Sequence, residues 1–129
     1  MTPVLLDRLA ARRVRLSRRE AEQMSADPHP FTAFAGRYTV AWIDHLKATD
    51  DPTTDSCPLH DPLAVAAVTR PDLLRFAEVN LDVQLEGVAR GVMVADRRTT
   101  PARPANARVA VDVDPAGFAH HFTDCLRRL

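Results

Sequence analysis

Along PFTAFAGRYTVAWIDHL, residues 30–46, the large apolar positions Phe31, Phe34, Tyr38, Trp42 and Leu46 fall three or four residues apart, the spacing of one face of an amphipathic helix. That stripe holds four of the chain's seven aromatic residues, so it is expected to be the principal core element. A shorter helix over about 18–26 is predicted ahead of it. There, Ser17-Arg18-Arg19-Glu20 has the S-x-x-E form of a capping box, and Asp27-Pro28 ends the run because the residue before proline is pushed out of the helical region. After the polar, turn-prone stretch KATDDPTTDSCP, residues 47–58, Asp61 has the look of an N-cap and Pro62 of a first helical residue. The helix behind them, LAVAAV, is nearly all apolar and therefore expected to be buried, and Arg70-Pro71 closes it.

The period then changes from near four to two. In VNLDVQLEG, Val79, Leu81, Val83 and Leu85 alternate with Asn80, Asp82, Gln84 and Glu86, which predicts a strand with one wet face. Glu86-Gly87 can turn the chain into a second strand, GVARGVMVADRR, and ARVAVDVD supplies a third. Asp114-Pro115 repeats the cap pattern for a last helix with the stripe Phe118, Phe122, Cys125, Leu126 and Leu129. The expected order is three helices, three strands and a helix: an α/β chain with a small, mainly antiparallel sheet.

Composition narrows the partners. The chain has 129 residues and is 46% hydrophobic, enough for one core, and its 17 basic and 17 acidic residues leave no net charge to recruit nucleic acid or an anionic membrane. No apolar run approaches the roughly 20 residues that span a bilayer. Two cysteines, with no leader-like N-terminus, favour a reduced, cytoplasmic setting.

Four constellations could carry chemistry. Cys57-x-x-His60 with His121-x-x-x-Cys125 contains zinc-ligand types, but the halves lie about sixty residues apart and lack paired-cysteine spacing, so Cys125 is better read as a core residue. The six arginines of RLAARRVRLSRR, residues 8–19, read as a solvated face. Asp112 and Asp114 read as a strand end and a helix cap. His60-Asp61 is the remaining pair: a carboxylate at a helix start can cap it or turn to a cation, and a neighbouring histidine can donate a proton near neutral pH. Local physics slightly favours the structural role.

Four segments, in order, change that balance. ARRVRLSRREAEQM, HDPLAVAAVTRPDLL, VNLDVQLEGVARGVMVADRR and ARVAVDVDPAGFAHHF together resemble the C-terminal portion of the inosine-uridine preferring nucleoside hydrolases. The resemblance implies hydrolysis of the N-glycosidic bond of ribonucleosides at a calcium ion that chelates the ribose hydroxyls and the attacking water. It implies that Asp61 is a calcium ligand, that His60 stands where the leaving-group acid lies, and that Tyr38 and Trp42 fall in a segment lining the base pocket.

The departures are equally specific. The family's aspartate cluster DxDPGxDD, which supplies most calcium carboxylates and the general base, has no counterpart, and Ala116-Gly117-Phe118-Ala119 replaces the continuation of its look-alike at Asp112. The family's middle segments, with a threonine ligand and ribose-binding Asn and Glu, are also missing. MTPVLLDRLAA stands in place of a strand ending in LDVT, and Gln84-Leu85 stand where Glu-Thr is usual. Residues 1–129 are thus expected to form a single incomplete domain, inactive alone, whose partners are a ribonucleoside and either a complementing N-terminal half or further copies of the chain. The alternative is a non-catalytic remnant serving as a binding or oligomerisation module. Either way the apolar helix 62–69 and the aromatic stripe are expected to be partly uncovered, favouring self-association.

Overall fold

In the computed structural model, which describes residues 12–128 and the backbone of residues 4–6, a short strand β1 (Val4–Leu6) is followed by β2 (Arg15–Ser17), α1 (Arg18–Ser25) and α2 (Pro30–Thr49). Then come β3 (Ser56–Pro58), α3 (His60–Thr69), a 3-10 turn (Pro71–Leu73), β4 (Leu74–Val83), β5 (Met93–Asp96), β6 (Ala107–Val113) and α4 (Pro115–Arg127). Arg8 of the arginine run and Leu129 of the last stripe lie outside the described residues. One sheet has the order β1-β6-β4-β5, with β4 antiparallel to both neighbours and β1 parallel to β6; β2 and β3 pair as a separate antiparallel ribbon. The α/β class and the mainly antiparallel sheet are as expected from the sequence.

The helix starts show why local signals sufficed where they did. The Ser17 side chain accepts from Glu20 N–H while the Glu20 carboxylate accepts from Ser17 N–H, so two of the orphan donors at the start of α1 are satisfied reciprocally. Asp114 accepts from the N–H groups of Ala116 and Gly117 at 3.1 Å each, with Pro115 in the first helical position. The arginine run is largely paired: Arg13 and Arg75 flank Asp112, Arg15 holds Ser56, and Arg18 bridges Asp44 and Glu22.

The core lies in two adjoining clusters. Leu63, Ala66 and Ala67 of α3 pack with Leu73, Leu74, Ala110, Val113 and Phe118 on one side of the sheet. Leu16, Ala21, Met24, Ile43, Cys57 and Leu126 form the second cluster, and Leu59 and Phe122 touch both.

Several expectations are corrected. The aromatic stripe of α2 is not the core: Phe31 and Trp42 are exposed, Phe34 is 57% exposed and Tyr38 65%. The buried face is instead Thr32, Ala33, Gly36 and Ile43, because small residues let α2 approach the backbone of α1 closely. A Cβ on Gly36 would sit 2.4 Å from Ser25 N and 2.7 Å from Ala21 O, so nothing larger than hydrogen fits there. Thr32, fully buried, donates its hydroxyl to Leu126 C=O at 3.3 Å and ties α2 to α4.

Helix α3 begins at His60 with Leu59 at its N-cap, so Asp61 lies within the first turn and does not cap it. Nor is α3 buried all round, since Val65 and Val68 are exposed. Cys125, expected in the core, is exposed; His121 lies within 3.6 Å of its sulfur, one helical turn away. The stretch 47–58 is not all loop: α2 runs to Thr49, and β3 pairs Cys57 with Leu16. The first long strand begins earlier than expected, at Leu74. Its partner β5 begins later, because the connection 84–92 makes its own turns at Gly87 and Gly91, both with positive φ. Val83, Leu85 and Met93 of this hairpin remain exposed. Among the described residues no helix is long and apolar enough to cross a membrane.

Candidate functional site

The β2–β3 ribbon is what assembles the site. Leu59 N–H donates to Val14 C=O at 3.0 Å, and Arg18 N–H to Asp55 C=O at 2.7 Å, which fixes the chain entering α3 beside the start of α1. The N-terminus of α3 therefore faces the outer side of α2. Between them opens a cleft of about 960 Å³, lined by Tyr38 and Trp42 from α2 and by His60, Asp61 and Pro62 from α3. Arg12, Asp50, Asp51 and Thr54 border it as well.

All four site residues singled out from the sequence thus share one cavity. His60 and Asp61 are exposed in the first turn of α3, where the free N–H groups favour negative charge. Trp42 stacks on His45, with ring centroids 5.1 Å apart and planes 26° apart, while Tyr38 stacks on Phe34 at 6.4 Å. These pairings steady two aromatic surfaces on the cleft side of α2, a platform suited to a flat ring. Cys57 also borders the cleft, but burial pushes its thiol pKa up, so it stays protonated and unreactive.

A metal centre is not completed by these residues. Calcium takes six to eight oxygens. Of the carboxylates lining the cleft, Asp51 already accepts from the N–H and hydroxyl of Thr53, which also holds its pKa below the ordinary range. No group of three or more His, Cys, Asp or Glu side chains among the described residues could hold a metal ion. The described residues therefore do not fit a calcium ion by themselves, and the Cys57-His60 and His121-Cys125 pairs do not assemble a zinc set either.

Arg12, Asp50, Asp51 and Thr54 were not marked as site residues from the sequence. The aspartates and Thr54 sit in a stretch whose polar, proline-containing character signals only a turn, and nothing in the local pattern sets Arg12 apart from its neighbours. Their place follows from the pairing of β2 with β3.

Comparison with known proteins agrees with the segments quoted above. Residues 2–120 match the family model described as inosine-uridine preferring nucleoside hydrolase. A pyrimidine-specific ribonucleoside hydrolase, RihA, of Shewanella woodyi is 36% identical over 62 residues, which are 47% of this chain and 20% of that protein. The enzyme of the same name from Escherichia coli O8 is 35% identical over 71 residues, 54% of this chain and 23% of its own length. The solved structure of a purine-preferring ribonucleoside hydrolase from Gardnerella vaginalis superposes with a TM-score of 0.82 at 27% identity, covering 97% of this chain and 40% of that one. The chain therefore spans well under half the length of these relatives.

Proposed function

The chain belongs to the inosine-uridine preferring nucleoside hydrolase family, and on that premise we propose that it supplies one wall of a site that hydrolyses the N-glycosidic bond of ribonucleosides. The observation that carries this reading is the convergence of Tyr38, Trp42, His60 and Asp61 on a single cleft. Tyr38 and Trp42 stack against the base. His60 donates a proton to the base nitrogen as the glycosidic bond breaks, so that the base leaves neutral while the sugar carbon takes on oxocarbenium character and is captured by water. Asp61 turns its carboxylate to the sugar side, where calcium is the ion the family resemblance implies.

The cleft's described carboxylates do not form a set that could hold calcium, and the family's aspartate cluster, which supplies the general base, has no counterpart in the sequence. Residues 1–129 therefore act as one incomplete domain, catalytic when an N-terminal half bearing the aspartate cluster is present. The free cysteines suit a reduced, cytoplasmic setting.

An inosine and uridine hydrolysis assay with calcium tests the reading. The chain alone is expected to show no turnover above background. Mixing or fusing it with the N-terminal half of a family domain is expected to restore turnover, and His60→Ala to lower the restored kcat by about 10²–10⁴-fold. Turnover by the chain alone, or a restored rate indifferent to His60, would sink it.

A second reading, a non-catalytic binding or oligomerisation module, is favoured by the exposed Phe31, Phe34, Val65 and Val68. Apolar surface of this kind promotes association, so light scattering is expected to report dimers or larger species whose share grows with concentration. A sharp monomer with a cooperative melt well above ambient temperature would refute self-association.

A further inference from the structure

Among the described arginines of the run, Arg12 and Arg19 have no ion-pair partner, and of these two Arg12 is the one that borders the cleft. Arg13 is taken by Asp112, Arg15 donates to the Ser56 hydroxyl and carbonyl at 2.8 and 2.9 Å, and Arg18 is held between Asp44 and Glu22. Arg12 is exposed, borders the cleft that Tyr38, Trp42 and His60 line, and has no ion-pair partner among the described residues, although Asp50 and Asp61 border the same cleft.

We propose that Arg12 selects the base in this cleft, favouring 6-oxopurine nucleosides over adenosine and uridine; the inference rests on the reading of the cleft as a nucleoside site. A guanidinium presents two parallel N–H donors in one plane and so pairs best with two acceptors side by side on the edge of a ring. A 6-oxopurine offers that pair, O6 and N7. Adenine keeps N7 but turns a donor amino group toward the fork, and on its corresponding edge uracil presents only O4 beside the C5–H. The aromatic platform of Tyr38 and Trp42 sets the plane of the bound ring, and a fork at the rim of the same cleft meets its edge. Stacking alone does not discriminate, because every base has a π face. The choice among bases therefore falls to the polar group at the edge.

Trp42 is the chain's sole tryptophan, so its fluorescence reports occupancy of the platform without any turnover. The full chain is titrated with inosine, adenosine and uridine, and the titrations are repeated with Arg12→Ala and Arg12→Lys. Inosine is expected to quench at the lowest concentration. Arg12→Ala is expected to raise its half-point about tenfold while leaving adenosine unchanged, and Arg12→Lys to recover little, because an ammonium is a point charge without the fork. Equal half-points for the three nucleosides, no quenching by any of them, an unchanged inosine half-point in Arg12→Ala, or full recovery in Arg12→Lys would each overturn the proposal. If complementation yields no His60-dependent hydrolysis while inosine selectivity persists, the catalytic reading fails and the role of Arg12 stands.

Discussion

Gly36→Ala is expected to lower stability by about 3 kcal/mol or more, against the trend for its position. In the middle of a helix, alanine is ordinarily favoured over glycine by about 1 kcal/mol, because glycine loses more backbone freedom on folding. Here the added Cβ would meet Ser25 N at 2.4 Å, with Ala21 O and Met24 C both at 2.7 Å. All three are backbone atoms of α1, so no side chain can turn aside and the two helices must separate. Separation loosens the packing around Ala21, Met24 and Ile43, the heart of the second cluster. Overpacking of a well-filled core typically costs about 1–3 kcal/mol, and a rigid backbone obstacle belongs at or above the upper end. Urea titration followed by circular dichroism gives the value. A midpoint equal to or above that of the parent chain would show that α1 and α2 are not in this close contact.

Phe118→Ala is the second large effect, at about 3–5 kcal/mol. Phe118 is 1% exposed and is the largest fully buried side chain among the described residues, packed with Leu63, Leu73 and Val113 and stacked on Phe122 with centroids 6.1 Å apart. Truncation leaves a cavity bordered by α3, the sheet and α4, none of which can collapse without moving an element. A domain of this size holds about 5–15 kcal/mol in total, so the variant is expected to be largely unfolded or to melt far below the parent chain. Phe118→Leu, which keeps most of the volume, is expected to cost much less. A loss under about 1 kcal/mol for Phe118→Ala would mean that α4 does not close the first cluster as described.

Both effects bear on function, because α2 carries Tyr38 and Trp42 while α4 and the first cluster hold α3, with His60 at its tip. Loosening either cluster shifts one wall of the cleft relative to the other. Each variant is therefore expected to impair nucleoside binding as well as stability, whereas Arg12→Ala, at an exposed position, is expected to change binding alone.

The residues differ in how far the sequence alone announced them. Ser17 and Glu20, and Asp114 and Pro115, were legible because each signal acts within about one turn; the alternation from Val79 to Leu85 announced a strand but not its wet face, since Asn80 is buried and Val83 and Leu85 are exposed. His60 and Asp61 were visible as a pair, yet their local setting fitted a helix start equally well; the resemblance of four ordered segments singled them out. The strands Arg15–Ser17 and Ser56–Pro58 were not legible, because three residues are too few to display a period.

From the sequence alone came the four helices and the three later strands, most helix boundaries, the mainly antiparallel sheet and the family, since these rest on backbone hydrogen bonding, capping and segment order along the chain. Only the tertiary structure decided which face of α2 turns inward, that Asp61 leaves the capping role free, and that Arg12 shares a cleft with Tyr38, Trp42 and His60. The physical reason is that burial depends on what lies opposite. The stripe of Phe31, Phe34, Tyr38 and Trp42 is the more hydrophobic face, but α1 offers a surface that only Gly36 and its small neighbours can approach, and the described residues leave the aromatics facing outward.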